Sequence, residues 1–147
     1  MSDRRIILCA DDYGISPAVS AAIRDLIARR RINATSVMVA APQFDRDEAA
    51  KLLHAAAKHA AVGLHVTLTA PFAPLSQNFE PLRHGAFLSL ATTLRRAHLR
   101  ALRPKLLTVE ISRQFEASLP PLAGRRISST ATITCIYFRK SAMPCCA

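Results

Sequence analysis

Three side chains of this sequence have the chemistry and the placement that metal-assisted hydrolysis requires. Asp11 and Asp12 close the first apolar run of the chain, residues 6–10, and His65 follows the apolar residues 62–64. In open α/β sheets, ligands bind at the carboxyl ends of the strands. One of two adjacent carboxylates can bind a divalent cation while the other takes a proton from the attacking water. A neutral imidazole binds the same cations, so the pattern points to a metal-dependent hydrolytic site.

Each of these features also has a purely structural explanation. Aspartates favour turns, so Asp11 and Asp12 can simply end a strand of an α/β module, and a lone buried histidine is often a hydrogen-bonded core residue. The presence of both features at the ends of neighbouring predicted strands favours the hydrolytic site. Tyr13 and Ser36 either line this site or serve as a packed aromatic ring and a strand hydroxyl. The remaining histidines are expected to lie away from any substrate: His54, His59, His84 and His98.

The hydrophobic pattern predicts three buried strands separated by helices. Short apolar runs with β-branched residues mark the strands at residues 6–10, 35–39 and 62–68. Strands that alternate with helices of about a dozen residues form parallel βαβ units with right-handed crossovers. The sequence therefore predicts an α/β fold.

Helix starts follow the first two strands. Ser16 offers an N-cap oxygen with Pro17 at the first helical position, and Asp45 with Glu48 three residues later has the spacing of a capping box. The apolar face predicted for the first helix consists of Val19, Ile23, Leu26 and Ile27. The remaining predictions are an irregular, proline-containing loop over residues 71–87 and helices over residues 88–103 and 107–118.

Composition indicates one domain and leaves one rival function open. The chain has 147 residues, half of them hydrophobic, and a formal net charge of +10. That charge allows a small basic protein that binds nucleic acid or phosphates, but the basic residues 29–31 and 95–105 fit solvated helix surfaces, and few aromatic residues lie among them. We expect no nucleic-acid partner. We also expect no membrane span and no signal peptide, and hence a cytoplasmic protein; a homo-oligomer remains open. The cysteines have no ligand-like spacing and are expected to be non-functional: Cys9 in a buried strand, Cys135, Cys145 and Cys146.

Three segments in the same order resemble one protein family. They are Cys-Ala-Asp-Asp-Tyr-Gly-Ile-Ser at residues 9–16, Ala-Thr-Ser-Val-Met-Val at residues 34–39 and Val-Gly-Leu-His-Val-Thr-Leu at residues 62–68. Together they closely resemble the YdjC-like carbohydrate deacetylases, which include the ChbG chitooligosaccharide deacetylases and the hopanoid-associated HpnK branch. The resemblance runs from about Arg5 to Leu119. It also includes Pro74-Leu75, Glu110-Ile111 and Gln114-Phe115.

The resemblance implies a fold, a reaction and roles for three residues. The fold is a distorted (β/α) barrel with parallel strands, and the reaction removes the N-acetyl group from an amino sugar or oligosaccharide with the help of a bound divalent metal ion. Magnesium or zinc is the expected metal. By resemblance, Asp11 is the catalytic base, and Asp12 and His65 are metal ligands.

The C-terminal part departs from the family. Its members carry a further motif resembling Asp-Gly-His-x-His-x-His shortly after the segment matching residues 110–119, and this chain has none there. Back-translation of residues 127–139 with suitable synonymous codons gives Phe-Ile-Asp-Gly-His-His-His-Leu-His-Leu-Phe-Pro in a shifted frame. We therefore expect residues 1–124 to be a partial deacetylase domain and residues 125–147 an out-of-frame tail, with the slip between Leu119 and Ile127. The barrel would then be incomplete at its C-terminus and the chain weakly active or inactive.

Overall fold

The computed structural model describes residues 6–118, which form three strands and four helices. In chain order they are β1 (Cys9–Tyr13), α1 (Pro17–Ala28), β2 (Ala34–Val37), α2 (Arg46–Ala56), β3 (Ala61–Leu64), α3 (Leu90–His98) and α4 (Pro104–Ser118). All strand pairs are parallel, and a helix connects each strand to the next. The described residues therefore confirm the predicted α/β class with parallel strands.

The strands lie side by side in the order in which they occur in the chain. Cys9 of β1 pairs with Ala34 of β2, which pairs in turn with Ala61 of β3. A doubly wound sheet reverses its strand order at a switch point, whereas a (β/α) barrel adds each strand beside the previous one. The three described strands show no reversal, and this order occurs at the start of a barrel as well as in one half of a doubly wound sheet.

One hydrophobic core lies between the sheet and the two helices α1 and α2, which pack against each other. Ile23 and Ile27 are the buried residues of the apolar face predicted for α1, while Val19 and Leu26 are each 37% exposed. On the surface of α1, Val19 and Leu26 both lie on the same side of Ile23 and Ile27, at the margin of the buried stripe. The core therefore takes the side of the predicted face that carries Ile23 and Ile27, next to the buried Ser20, and leaves the other side in contact with solvent.

Both predicted helix caps are present. The Ser16 hydroxyl accepts a hydrogen bond from the Val19 amide at 3.3 Å, and Asp45 Oδ1 accepts one from the Glu48 amide at 2.8 Å. These bonds satisfy amides that the first turn of a helix leaves without partners. The carboxylate of Glu48 does not return to Asp45 as in a full capping box. It binds Tyr13 and Arg24 instead.

The first strand lies three residues later than predicted. Ile6 and Ile7 are 71% and 70% exposed, and β1 begins only at Cys9, whose side chain is also exposed. The reason is that β2 begins at Ala34, so residues 6–8 lie beyond the end of its ladder. They bond instead to Asn33 and to the Ala34 amide, through Ile6 and Leu8. The correction matters because it puts the two acids inside the strand rather than in its exit loop.

Three other elements are shorter than predicted, whereas α4 begins at Pro104, three residues earlier than predicted. β2 ends at Val37, β3 ends at Leu64, and α3 covers only Leu90–His98 of the predicted residues 88–103. His65 thus follows the last strand residue, although its amide still donates to the Val37 carbonyl at 2.9 Å. The segment 71–87 contains no helix or named strand, as predicted.

The helices of the described range are too short or too polar to span a membrane, and some predictions concern residues outside that range. Among residues 6–118, no helix has the length and apolar character needed to cross a bilayer. The predictions for Cys135, Cys145 and Cys146, and the proposed frame slip between Leu119 and Ile127, concern residues outside the described range.

Candidate active site

A β-bulge in β1 brings the two adjacent acids together. Ala10 pairs with Thr35 and Tyr13 pairs with Val37, so Asp11 and Asp12 both lie opposite the single residue between the latter partners, Ser36. Neighbouring side chains of a regular strand point to opposite faces of the sheet. A bulge breaks that alternation. Asp12 takes the left-handed backbone conformation, with φ of 67°, which aspartate adopts more readily than most residues.

The side chains of Ser36 and Asp12 contact the imidazole of His65, and Asp11 contacts Ser36. The Ser36 hydroxyl donates to Asp11 Oδ1 at 2.6 Å and lies 3.2 Å from His65 Nδ1. The same nitrogen lies 3.3 Å from Asp12 Oδ1. Because Ser36 has one hydroxyl proton, and the short contact to Asp11 uses it, Ser36 acts as an acceptor toward His65 Nδ1. A cation bound at Nδ1 would take the place of the proton on that nitrogen. The structure thus brings the three predicted residues together around Ser36.

Asp12 and His65 have a geometry that suits two ligands of one cation. Metal bonds of about 2.1 Å to oxygen and nitrogen, at an angle of roughly 100°, separate the two ligand atoms by about 3.2 Å. The observed separation is 3.3 Å, and the Asp12 side chain is 49% exposed. No group of three or more His, Cys, Asp or Glu side chains that could hold a metal ion occurs within residues 6–118. The described part of the chain therefore offers a pair of candidate ligands.

A largely apolar cavity of about 380 Å³ adjoins this pair. Asp12 and His65 line it together with side chains from the loop 71–87, from α3 and from α4. The loop contributes Phe72, Phe79, Pro81 and Phe87. The loop 71–87 therefore forms part of the wall of this cavity. Polar side chains in the lining are few, apart from the acid and the imidazole: Thr67, Thr69 and Thr93.

The two residues of ambiguous role differ in their surroundings. Ser36 belongs to the site, whereas the Tyr13 ring is fully buried in the core. The Tyr13 hydroxyl donates to Glu48 Oε1 at 2.8 Å and accepts from Arg24 Nη1 at 2.7 Å. Burial raises the pKa of Tyr13 well above its ordinary value. The ring therefore packs behind the acids rather than toward the cavity.

The other histidines in the described range lie away from the cavity. All four are exposed and none lines it: His54, His59, His84 and His98. None of these four histidines is therefore a lining residue of the candidate site.

A second buried polar group lies on α4, and sequence reasoning did not assign it a role. Glu110 and Gln114 are both fully buried. Glu110 accepts hydrogen bonds from Gln114, from the Leu75 amide and from both the amide and the hydroxyl of Ser76. Burial alone would raise the pKa of Glu110, but the hydrogen bonds from Gln114 and Ser76 and from the two amides hold it below its ordinary value. The available signal was the i, i+4, i+8 spacing of Glu110, Gln114 and Ser118, which puts three polar residues on one helical stripe.

Comparisons with known proteins agree with this architecture. A carbohydrate deacetylase of Enterococcus faecalis is 35% identical over 69 residues, which are 47% of this chain and 26% of that protein. A crystal structure from Enterococcus faecalis V583, described as that of a cellobiose-phosphate cleavage protein, matches with a TM-score of 0.65 at 23% identity. That match covers 85% of this chain and 46% of the other. The chain thus spans less than half the length of either relative.

The family itself is shown by a match over most of the chain. The sequence profile of the YdjC-like proteins matches residues 5–127, which include all the described strands and helices. The chain therefore belongs to the YdjC-like protein family.

Proposed function

We propose that this chain carries part of the active site of a metal-dependent carbohydrate deacetylase, which hydrolyses the N-acetyl group of an amino sugar. Asp11 is the proposed base, and Asp12 and His65 are the proposed ligands of a divalent cation, magnesium or zinc. The observation that carries the proposal is the β-bulge, which leaves Asp12 in contact with His65 and Asp11 in contact with Ser36 beside it. The carbohydrate deacetylase from Enterococcus faecalis, with 35% identity over 69 residues, supports the reaction class.

In this proposal, Asp11 takes a proton from the water that attacks the acetamide carbonyl carbon. Ser36 and Cys9 both contact Oδ1 of Asp11, at 2.6 and 3.5 Å, so we assign the proton to Oδ2. As the C–N bond breaks, Asp11 returns the proton to the amine nitrogen, and the products are acetate and the free amino sugar. A bound cation would polarise the carbonyl and lower the pKa of the water.

The cavity beside Asp12 and His65 is the proposed position for the substrate. Ligand sites are mostly apolar, with a few polar groups that set the orientation. The acetyl methyl group and the C–H face of a sugar ring present apolar surface, which fits a cavity lined by phenylalanines of the loop 71–87.

We also propose that the three strands are the beginning of a distorted (β/α) barrel. Their sequential parallel order is compatible with it, and membership of the YdjC-like family supports it through the resemblance described above. Because catalytic metal sites commonly use three protein ligands, we propose that the histidine motif encoded in the shifted frame supplies what Asp12 and His65 lack.

Cation binding by the full 147-residue chain tests this function. Titration with Co²⁺, followed by the visible absorption of the ion and by the nuclear magnetic resonance (NMR) signals of the histidine rings, should show weak binding at His65 that a chelator reverses. Asp12→Asn and His65→Asn should each weaken this binding at least tenfold, because each removes one of two ligands.

His84→Asn is the matched control, because His84 is an exposed histidine outside the cavity. It should bind Co²⁺ like the unaltered chain. Equal binding by His65→Asn and His84→Asn would contradict the proposal. Binding of a DNA oligonucleotide that falls steeply with salt, without any effect of chelation, would instead favour the basic phosphate-binding alternative.

A further inference from the structure

The segment that carries His65 continues beyond the last strand and is held there by a side chain. β3 ends at Leu64, and the backbone of Thr67 pairs with the amide group of Gln114 on α4. The Thr67 amide donates to Gln114 Oε1 at 2.8 Å, and Gln114 Nε2 donates to the Thr67 carbonyl at 2.7 Å. The Gln114 side chain thus makes the pair of bonds that a peptide group of a neighbouring strand would make.

Glu110 determines which way round the Gln114 amide lies. An ionised carboxylate only accepts hydrogen bonds, so Gln114 must direct its NH₂ group toward Glu110 Oε1, which lies 2.8 Å from Nε2. The same NH₂ group of Gln114 then donates to the Thr67 carbonyl, and the Oε1 atom of Gln114 accepts from the Thr67 amide. Three further donors, from Leu75 and Ser76, hold the Glu110 carboxylate in place.

The arrangement connects directly to His65. The Thr67 hydroxyl lies 3.4 Å from the His65 carbonyl oxygen, and the His65 amide donates to the Val37 carbonyl. Residues 65–67 are therefore fixed by β2 at one point and by Gln114 at another. A ligand with a locked position binds a metal more tightly than one that must be ordered on binding.

We infer that Gln114 is a positioning residue, whose buried amide, oriented by Glu110, fixes the backbone of Thr67 and thereby the place of the His65 imidazole. The inference rests on the proposed role of His65 as a metal ligand. Its consequence is that a residue on α4, whose hydrogen bonds go to Thr67 and Glu110, influences the cation affinity of the site.

Two variants separate positioning from general stability. Gln114→Met keeps the approximate shape of the side chain but cannot pair with Thr67. Ser76→Ala removes only the hydroxyl bond to Glu110. The amides of Leu75 and Ser76 still hold the carboxylate in place, so the pairing of Gln114 with Thr67 stays intact. Gln114→Met should weaken Co²⁺ binding by the full chain about tenfold, as expected for a residue that orients a ligand. Ser76→Ala should leave the affinity unchanged, even if it unfolds at a lower temperature.

A cation-free measurement makes the test independent of the proposed function. The ring ¹⁵N resonances of His65 should shift in Gln114→Met and stay in place in Ser76→Ala. If the unaltered chain binds no Co²⁺, the proposed function is wrong, and these resonances still decide whether Gln114 positions His65.

Gln114→Asn replaces Gln114→Met if the latter does not fold, because it keeps a buried amide whose reach is one carbon shorter. Unchanged His65 resonances and unchanged Co²⁺ affinity in a folded Gln114 variant would overturn the inference.

Discussion

At the scale of single residues, Glu110 makes the stability of the chain depend on pH. Its pKa is lowered in the folded state, so the unfolded chain binds more protons between the folded and the unfolded pKa values. The stabilisation by Glu110 is therefore complete above the ordinary glutamate pKa of about 4.3 and is lost as the pH falls through the lower, folded value.

Glu110→Gln should remove this dependence. The NH₂ group of the new glutamine would face hydrogen-bond donors that now bind the carboxylate of Glu110. This mismatch should lower the free energy of unfolding by about 2 kcal/mol at neutral pH. The difference from the unaltered chain should shrink as the pH falls. Urea unfolding at several pH values between about 3 and 7 measures this. Glu116→Gln is the control, because the exposed carboxylate of Glu116 pairs with the exposed Arg113. Equal pH profiles of the two variants would contradict the assignment.

The residues of the candidate site were predictable from the sequence to different degrees. Asp11, Asp12 and His65 were identified from residue type and from their places after apolar runs. Ser36 remained ambiguous, because only the pairing of β1 with β2 shows that its hydroxyl lies opposite the two acids. Gln114 was missed as a functional residue, because its partner Thr67 is 47 residues away in the chain.

At the scale of elements, the bulge in β1 depends on the backbone of Asp12. Asp12→Gly and Asp12→Ala both remove the carboxylate, but only glycine adopts a φ of 67° without steric cost. Asp12→Ala should therefore unfold with a free energy about 1 kcal/mol lower than Asp12→Gly. Urea unfolding of the two variants measures this difference. Equal stability would mean that the left-handed conformation at this position carries no cost.

Element identity was predictable, and strand ends were not. The caps Ser16 and Asp45 are local signals, and both were predicted correctly. The run of residues 6–10 has the composition of a buried strand, but the length of a strand depends on where its neighbour begins, and β2 begins at Ala34. The bulge was likewise invisible, because it exists only as a mismatch between two paired strands.

At the scale of the whole molecule, the chain covers only part of its relatives. It matches 26% of the carbohydrate deacetylase and 46% of the related crystal structure. The frame hypothesis makes a direct prediction about the coding DNA. Sequencing across residues 119–147 should find the codons that give Asp-Gly-His-His-His-Leu-His in the shifted frame. Other synonymous codons at residues 131–135 would exclude it.

The same hypothesis predicts weak catalysis by the 147-residue chain. With two candidate ligands in its described part, it should release little or no acetate from an N-acetylglucosamine dimer in the presence of Mg²⁺ or Zn²⁺. Restoration of the shifted frame should raise that rate, as measured by the acetate released. Robust release by the present chain would refute the expected loss of activity.

The bulge between Ala10 and Tyr13 also limits which changes of chain length this region tolerates. Loss of one residue there would restore the strict alternation of the strand and turn one acid toward the opposite face of the sheet. A one-codon deletion that leaves every other side chain in place would then be as damaging as replacing an acid outright. Homologues that retain the chemistry should therefore vary in the identity of flanking residues but keep the spacing of this strand constant.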